Sequence, residues 1–455
     1  MEYLLDGAKG AIRRGASHEA EFRLSSALAQ FKGEKRTAAV LILSELIQEQ
    51  GRWEDSLALL AIDPGAQASS LGIMHFRTAM VGLNRLLPSE LVETIDIMRS
   101  IIRNRPADTS AALAAVDLAT LIHSQSYDDA LLPDLISLIT ESNDIPWPTE
   151  EVATVALAKL KLHFSAGMTQ SERVAALEDI VELVDRTNAR QLPSRRSSSL
   201  VSGVGILRGS LGDLEDSITP IEQAMALATR LDNARQLATA HVNLALRHGW
   251  IGNHQRQREL SAQVALGPLA SASSAYNAIS AAYEYGLASI ALGDHTAARQ
   301  VITNLQFRIP PTATVALQQT WRMLQADIEQ LLLQDTTAAQ LSLDALQLGA
   351  GRVLAVQMSA GAASRAALRV LNCTKRETTF DPRTLIESLF EQRARLEATD
   401  TAEVLCSYLM SGRDGAMRDH AIVELRQILE RLPAGAARRL EALGTPPPPG
   451  SRRVN

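Results

Sequence analysis

The chain of 455 residues is 46% hydrophobic and 21% charged, and its formal net charge is −6. This length exceeds one ordinary globular core, unless the chain is an array that grows by stacking similar units. The near-balanced charge gives no broad basic field, so we expect no direct binding to nucleic acids. Aromatic residues make up only 4%, and the abundance of alanine and leucine favours helices over strands.

The ends of the chain and its longest uncharged run give no sign of membrane targeting. Glu2 and Asp6 lie where a secretory signal would be basic and then apolar. The uncharged run 260–283 is interrupted by Gly267 and Pro268 and is rich in serine, so we expect no bilayer span. We predict a cytoplasmic protein with no membrane partner. Its cysteines, Cys373 and Cys406, are expected to be reduced thiols in the core.

Turn signals recur at intervals of about 40 residues, with helical patterning on both sides of each turn. They lie at Gly51, Pro88, Gln125, Gly167, Gly212, Gly252, Gly293, Gln334, near Thr374 and at Gly412. Each helix carries an apolar face too wide for one partner helix to cover, so neighbouring hairpins must stack. A polar residue follows several turns and is expected to cap the next helix, namely Asp213, Asn253, Asp294 and Asp335.

The regular pattern weakens toward the C-terminus. We place a repeat array at residues 1–371 and a C-terminal helical segment, which continues or caps the array, at 372–443. The final stretch, 444–455, reads GTPPPPGSRRVN and cannot continue a helix. We predict that it is a disordered, proline-rich tail.

The spacing of Gly286, Gly293 and Ala298 resembles the tetratricopeptide repeat (TPR), in which small residues occupy these three positions. The same spacing returns at Gly205, Gly212 and Ser217, and at Ser44, Gly51 and Ser56. The resemblance implies an all-α, right-handed α-solenoid of about ten helix-turn-helix repeats. The period is longer than the usual 34 residues, which is similar to the helical-repeat sensor regions of bacterial regulators.

Sequence patterns typical of catalysis are missing from the chain. It has no phosphate loop of the G-x-x-x-x-G-K-[ST] type and no G-x-S-x-G elbow, and it also lacks the helix-turn-helix signature of DNA-binding domains. His241, His248 and His254 come close together without the carboxylate spacing of a zinc site. We therefore predict a protein that is not an enzyme and has no catalytic residues, cofactor or metal.

In the TPR-like register, the first helices of the repeats line the concave side of the superhelix. The residues predicted to form a partner-binding groove there are Asn243, Arg247, Tyr283, Glu284, Trp321 and Gln325. Their mixture of amide, charge and aromatic ring suits a protein or peptide partner, which makes a scaffold or adaptor the leading hypothesis. Alternatively, Tyr283 and Trp321 only pack between repeats.

A second functional hypothesis is a sensor. It would bind a signalling peptide or small molecule and control a separate effector, such as a transcription regulator or an ATPase. Absence of an effector domain from this sequence would fit such a division of labour. Oligomeric state and partner identity have no sequence signature here.

Overall fold

The computed structural model describes residues 2–13, 16–83, 85–104, 109–125, 129–141, 147, 149–165, 167–187, 197–306, 313–354, 356–373, 379–412 and 416–446. Within these ranges the chain forms α-helices and short 3₁₀ turns and no strand. The all-α fold predicted from composition and periodicity is therefore confirmed.

The first half of the chain contains α1 (Glu2–Arg13), α2 (Ser17–Ala27), α3 (Gly33–Glu49), α4 (Trp53–Ala61), α5 (Pro64–Ala68), α6 (Ser70–Gly82), α7 (Pro88–Arg103), α8 (Thr109–Ser124), α9 (Leu132–Glu141), α10 (Thr149–Ser165), α11 (Gln170–Arg186) and α12 (Ser197–Leu211). The second half contains α13 (Ile218–Arg230), α14 (Ala234–Ile251), α15 (His254–Ala265), α16 (Ala275–Ala291), α17 (His295–Gln306), α18 (Val315–Leu331), α19 (Asp335–Leu348), α20 (Val356–Cys373), α21 (Pro382–Gln392), α22 (Ala398–Met410), α23 (Ala416–Arg431) and α24 (Ala436–Ala442).

The helices pair in chain order, and the first helix of each pair also packs on the first helix of the next. Thus α14 pairs with α15, α16 with α17 and α18 with α19, while α14, α16, α18 and α20 form a continuous row. These first helices begin at residues 234, 275, 315 and 356, which agrees with the predicted period of about 40. The array is a solenoid in which each hairpin covers the apolar faces of its neighbours.

The predicted turns of the central repeats are made by left-handed glycines followed by capping side chains. Gly252 and Gly293 have φ of +91° and +81°, a conformation that costs glycine little. Asn253 then accepts a hydrogen bond from the backbone N–H of Arg256 at 3.2 Å, and Asp294 accepts one from Ala297 at 3.0 Å. Both caps satisfy amides that the first turn of a helix leaves unpaired.

Other local predictions differ from the structure. Asp335 is the first residue of α19, and the capping position is taken by Gln334, whose side chain makes no capping bond. Asp213 precedes an extra turn, so α13 begins only at Ile218. Cys406 is buried, which raises the pKa of its thiol, but Cys373 is exposed at the end of α20 rather than in the core.

Small residues at the TPR-like positions allow close approach of helices. A Cβ added at Gly286 would lie 3.0 Å from Cδ1 of Ile328, so glycine there lets α16 and α18 pack tightly. In the second repeat the equivalent positions are Ser44 and Ser56, whose hydroxyls are 2.8 Å apart and buried. Gln48 donates to the Ser56 hydroxyl at 2.8 Å and satisfies the polar pair.

The superhelix also closes on itself, because the early repeats touch the middle of the array. The guanidinium of Arg235 lies 4.7 Å from the centre of the Trp53 ring. The backbone N–H of Ala275 donates to the side chain of Gln125 at 3.2 Å, and Ser17 donates to the carbonyl of Leu231 at 3.3 Å. These contacts between distant repeats fix the curvature of the solenoid.

His123, at the end of α8, should make the fold sensitive to acid. Burial lowers the pKa of this imidazole from 6.5 to about 4. Between pH 6.5 and pH 4 the imidazole is protonated in the unfolded chain but remains neutral in the folded chain. The free energy of unfolding therefore falls as the pH drops from 6.5 and levels off near pH 4. Between pH 6.5 and pH 4, the free energy of unfolding measured in urea should fall by about 3 kcal/mol more for wild type than for His123→Asn. Parallel pH profiles for the two proteins would contradict this assignment.

After α20 the chain makes three further helices, α21 to α23, and then turns back. α22 packs on α20 and α23, and it also reaches α12, whereas α24 lies against α14. Ordered packing extends beyond α24, since Thr445 is buried and its hydroxyl donates to the carbonyl of Leu440 at 3.2 Å. Residues 447–455 of the predicted tail lie outside the described residues.

Candidate functional site

The first helices α14, α16 and α18 present a surface that we call the inner face. Residues 433–446, which we call the return segment, lie against it. Gly435 sits on the end of α14, where an added Cβ would be 2.6 Å from the carbonyl oxygen of Ile251. At the other end, a Cβ on Gly444 would be 2.9 Å from Nε2 of Gln330 on α18. The return segment therefore spans three consecutive repeats.

An ion pair anchors the return segment at its centre. Arg439 of α24 donates to both carboxylate oxygens of Glu284 on α16, at 2.7 Å and 3.1 Å. Gln257 donates to the same carboxylate at 2.6 Å, and the guanidinium lies 5.0 Å from the centre of the Trp250 ring. Burial opposes ionisation of Arg439, but Glu284 outweighs it and raises the pKa of the arginine. The pair is bidentate and almost fully removed from water, with side-chain exposures of 9% and 3%.

A second buried ion cluster lies next to this pair and is centred on Asp327 of α18. The carboxylate accepts hydrogen bonds from the hydroxyl of Tyr283 at 3.0 Å and from Nε of Arg365 at 3.2 Å, and Arg369 pairs with it as well. Burial would raise the pKa of Asp327, but the two arginines hold it below its usual range. Because Tyr283 lies on α16 and the arginines on α20, Asp327 ties three repeats together.

The same cluster continues to α22 through Glu403, which pairs with Arg365. The backbone N–H of Gly361 donates to Asp400 at 3.3 Å, and a side chain at Gly361 would overlap the Glu403 carboxylate. Burial raises the pKa of both Asp400 and Glu403, and their mutual proximity raises that of Asp400 further. The polar network thus joins the inner face to the C-terminal helices.

Arg247 on α14 is buried with 3% exposure but is not integrated into these ion pairs. Its guanidinium packs on Gly209 of α12, where an added Cβ would be 2.4 Å from Nε. None of the described residues accepts a hydrogen bond from that Nε. Burial accordingly lowers the pKa of Arg247, while Glu397 and Glu284 act in the opposite direction from a distance.

The six residues predicted to line the groove lie in three different environments: the buried polar network, the hydrophobic core and the partly exposed surface. Tyr283 and Glu284 belong to the buried network, and Arg247 lies beside it. Tyr283 and Trp321 also share one hydrophobic cluster, so the packing alternative describes them. Asn243 and Gln325 remain half-buried. At Glu284 the inner face is covered by the return segment.

The sequence reasoning missed the other members of the network. These are Gln257, Asp327, Arg365, Arg369, Asp400, Glu403 and Arg439. One signal was available, because Arg365 and Arg369 stand four residues apart in the alanine-rich α20 and so share a helix face. The pairing of Arg439 with Glu284 had no comparable local signal.

Two surface hollows are lined by residues outside this network. One, of about 470 Å³, is lined by residues of the α19–α20 connection and α21, including Arg352, Phe380 and Asp381. The other, of about 420 Å³, lies between α11, α12, α22 and α23, and includes Arg173, Arg393 and Glu424. In the part of the chain that the structure describes, no group of His, Cys, Asp and Glu side chains is placed to hold a metal ion. Nor is any helix in those ranges both long and apolar enough to cross a bilayer.

No family model and no curated protein sequence matches the chain. Among solved structures, a Rap protein complexed with competence and sporulation factor has a TM-score of 0.48 at 11% identity, with coverage of 97% of this chain and 99% of that one. The human IFIT1 dimer with m7Gppp-AAAA has a TM-score of 0.47 at 11% identity, covering 89% and 88%. Yeast Tom70 has a TM-score of 0.35 at 12% identity, covering 97% and 93%.

The resemblance to the tetratricopeptide repeat rests on the spacing, turns and packing of the hairpins in this chain. Hairpins follow one another at a spacing of about 40 residues. Glycines with positive φ occupy the turns at Gly212, Gly252 and Gly293, and small residues such as Gly286 and Ala298 are buried where helices meet. The protein is therefore a TPR-like α-solenoid.

Proposed function

We propose that this protein is a non-enzymatic interaction module that binds a helical segment of a protein partner on its inner face. One observation supports this most directly. The inner face holds a segment of its own chain across three repeats, through a bidentate ion pair and buried apolar side chains. A surface that accommodates such a segment in one chain has the shape and chemistry to accommodate one from another chain. We also propose that the protein is located in the cytoplasm, as the sequence predicts.

A sensor that controls a separate effector is the second candidate, and the buried network favours it. Tyr283, Asp327 and Arg365 connect three successive first helices, while Arg439 connects them to the return segment. A ligand that breaks the Arg439 contact would alter the packing between repeats and hence the superhelix. X-ray scattering with and without a bound partner would test this, since a sensor predicts a changed radius of gyration and a rigid scaffold predicts none.

The interaction proposal is tested by loosening the return segment within the full chain. Gly435→Ala introduces a Cβ within 3 Å of the backbone carbonyls of Trp250 and Ile251 and so disfavours docking without changing any charge. We expect the variant to capture from lysate of the source cell a partner that wild type captures weakly. Glu441→Ala, which alters an exposed residue of α24 in the same segment, serves as the control and should behave like wild type.

Circular dichroism and thermal unfolding should show that all three baits are folded before capture is compared. Equal capture by Gly435→Ala, Glu441→Ala and wild type would contradict the proposal that the covered inner face is the binding surface.

A further inference from the structure

We infer that the docking element of the partner is a short amphipathic helix, which places an arginine on Glu284 and a leucine in the adjacent apolar pocket. In this inference the return segment is an internal ligand that occupies the same position until it is displaced. The inference rests on the proposed function and adds the chemistry of the partner. The inference is based on the contacts that α24 makes with α14 and α16.

The polar half of this site is built for a guanidinium. Glu284 offers both carboxylate oxygens, and Gln257 holds one of them at 2.6 Å. Gly249 leaves the approach open, because a Cβ at that position would lie 2.3 Å from Nη1 of Arg439. The Trp250 ring lies 5.0 Å from the guanidinium centre. A carboxylate that receives two parallel N–H donors beside an aromatic ring selects arginine over lysine.

The apolar half follows the spacing of one helix face. Ala436, Leu440 and Leu443 have exposures of 1%, 0% and 4% and stand at positions i, i+4 and i+7. Leu440 belongs to the same buried cluster as Leu214, Trp250 and Met323. The opposite side of α24 is exposed, at Arg438 and Glu441. This is the pattern by which an amphipathic helix lies in a groove.

The return segment has the properties of a displaceable ligand. α24 has seven residues, which is far below the length at which a helix is stable alone in water, so its order comes from docking. Gly444, with a φ of +79°, ends the helix and Gly435 precedes it. In a buried ion pair such as Arg439–Glu284, the cost of desolvation offsets much of the Coulomb attraction, so its net contribution to stability is small.

Binding of a synthetic peptide to the full chain tests the inference. The peptide carries residues 433–446 and a fluorophore, and binding is followed by anisotropy. Wild type, whose site is occupied, should bind the peptide weakly, and the Arg439→Ala chain should bind it at least tenfold more tightly. Peptides with Arg439→Lys or Leu440→Ala should lose at least tenfold in affinity for that chain. A chain with both Arg439→Ala and Glu284→Ala should not bind.

The Gly435→Ala chain provides an independent route, because it loosens the return segment while keeping Arg439 and Glu284. It should also bind the peptide more tightly than wild type does. Equal affinity of wild type, Arg439→Ala and Gly435→Ala chains would overturn the inference, as would binding that is insensitive to the peptide's arginine. If Gly435→Ala captures a partner that the added Glu284→Ala substitution does not release, the proposed function stands and the arginine recognition is wrong.

Discussion

Replacing Asp327 with alanine should lower the free energy of unfolding by about 3–5 kcal/mol. The carboxylate is fully buried, with a side-chain exposure of 0%, and it is the shared acceptor for Tyr283, Arg365 and Arg369. Its removal leaves Arg369 buried without a carboxylate and Arg365 with Glu403 as its remaining one, and the penalty comes mainly from these poorly compensated charges. Urea unfolding followed by circular dichroism would measure the change.

The control for Asp327→Ala is Asp216→Ala, which removes an exposed carboxylate of the same size. We expect a change of about 0.5 kcal/mol or less for the control. A quadruple variant with Asp327→Leu, Arg365→Met, Arg369→Met and Glu403→Met should recover much of the loss, since replacing a buried ion cluster by apolar residues is often close to neutral. A cost for Asp327→Ala no greater than that of the control would contradict the assigned network.

The second large effect concerns two turn glycines that look alike in the sequence. Gly51 and Gly293 have φ of +74° and +81°, so alanine at either position is strained by about 1 kcal/mol. Their surroundings differ. A Cβ at Gly293 has no neighbour within 4 Å, whereas at Gly51 it would lie 2.4 Å from Cα of Ala272 and 2.9 Å from the carbonyl oxygen of Ser271.

We therefore expect Gly293→Ala to cost about 1 kcal/mol, and Gly51→Ala to cost about 2–4 kcal/mol because the backbone must also move apart. The larger decrease in the free energy of unfolding for Gly51→Ala measures the contribution of the contact between the early repeats and residues 271–272. Unfolding of both variants in urea would measure it. Similar losses for the two variants would show that the closure contributes little to stability.

The sequence predicted the repeat architecture because its determinants are local. A turn glycine, its following cap and the apolar stripe of each helix lie within about 40 residues of one another, and each acts through short-range geometry. Gly252–Asn253 and Gly293–Asp294 adopt the expected turn and cap. Asp335 has the same position in the pattern, but Leu333 takes the left-handed conformation there and α19 starts one residue earlier than a capping role would require.

The site was less predictable because its determinants are distant in the chain. Glu284 was chosen as a groove residue from its helix register alone, and its partner Arg439 follows 155 residues later. Whether a charged residue on a first helix faces solvent or a buried partner depends on the path of the C-terminal chain, which periodicity does not encode. Tyr283 and Trp321 lie between repeats for the same reason, since aromatic residues at helical spacing serve core and groove equally well.

Hydrogen–deuterium exchange of the full-length protein, read by mass spectrometry, would test most directly whether the inner face can open. If the return segment is a displaceable ligand, peptides covering 433–446 should exchange through a local opening whose free energy is well below that of global unfolding. Peptides from α16 and α18 should remain protected through that opening, apart from the residues beneath α24. Exchange of residues 433–446 only at the rate of global unfolding would contradict this, because the segment would then be a permanent part of the core.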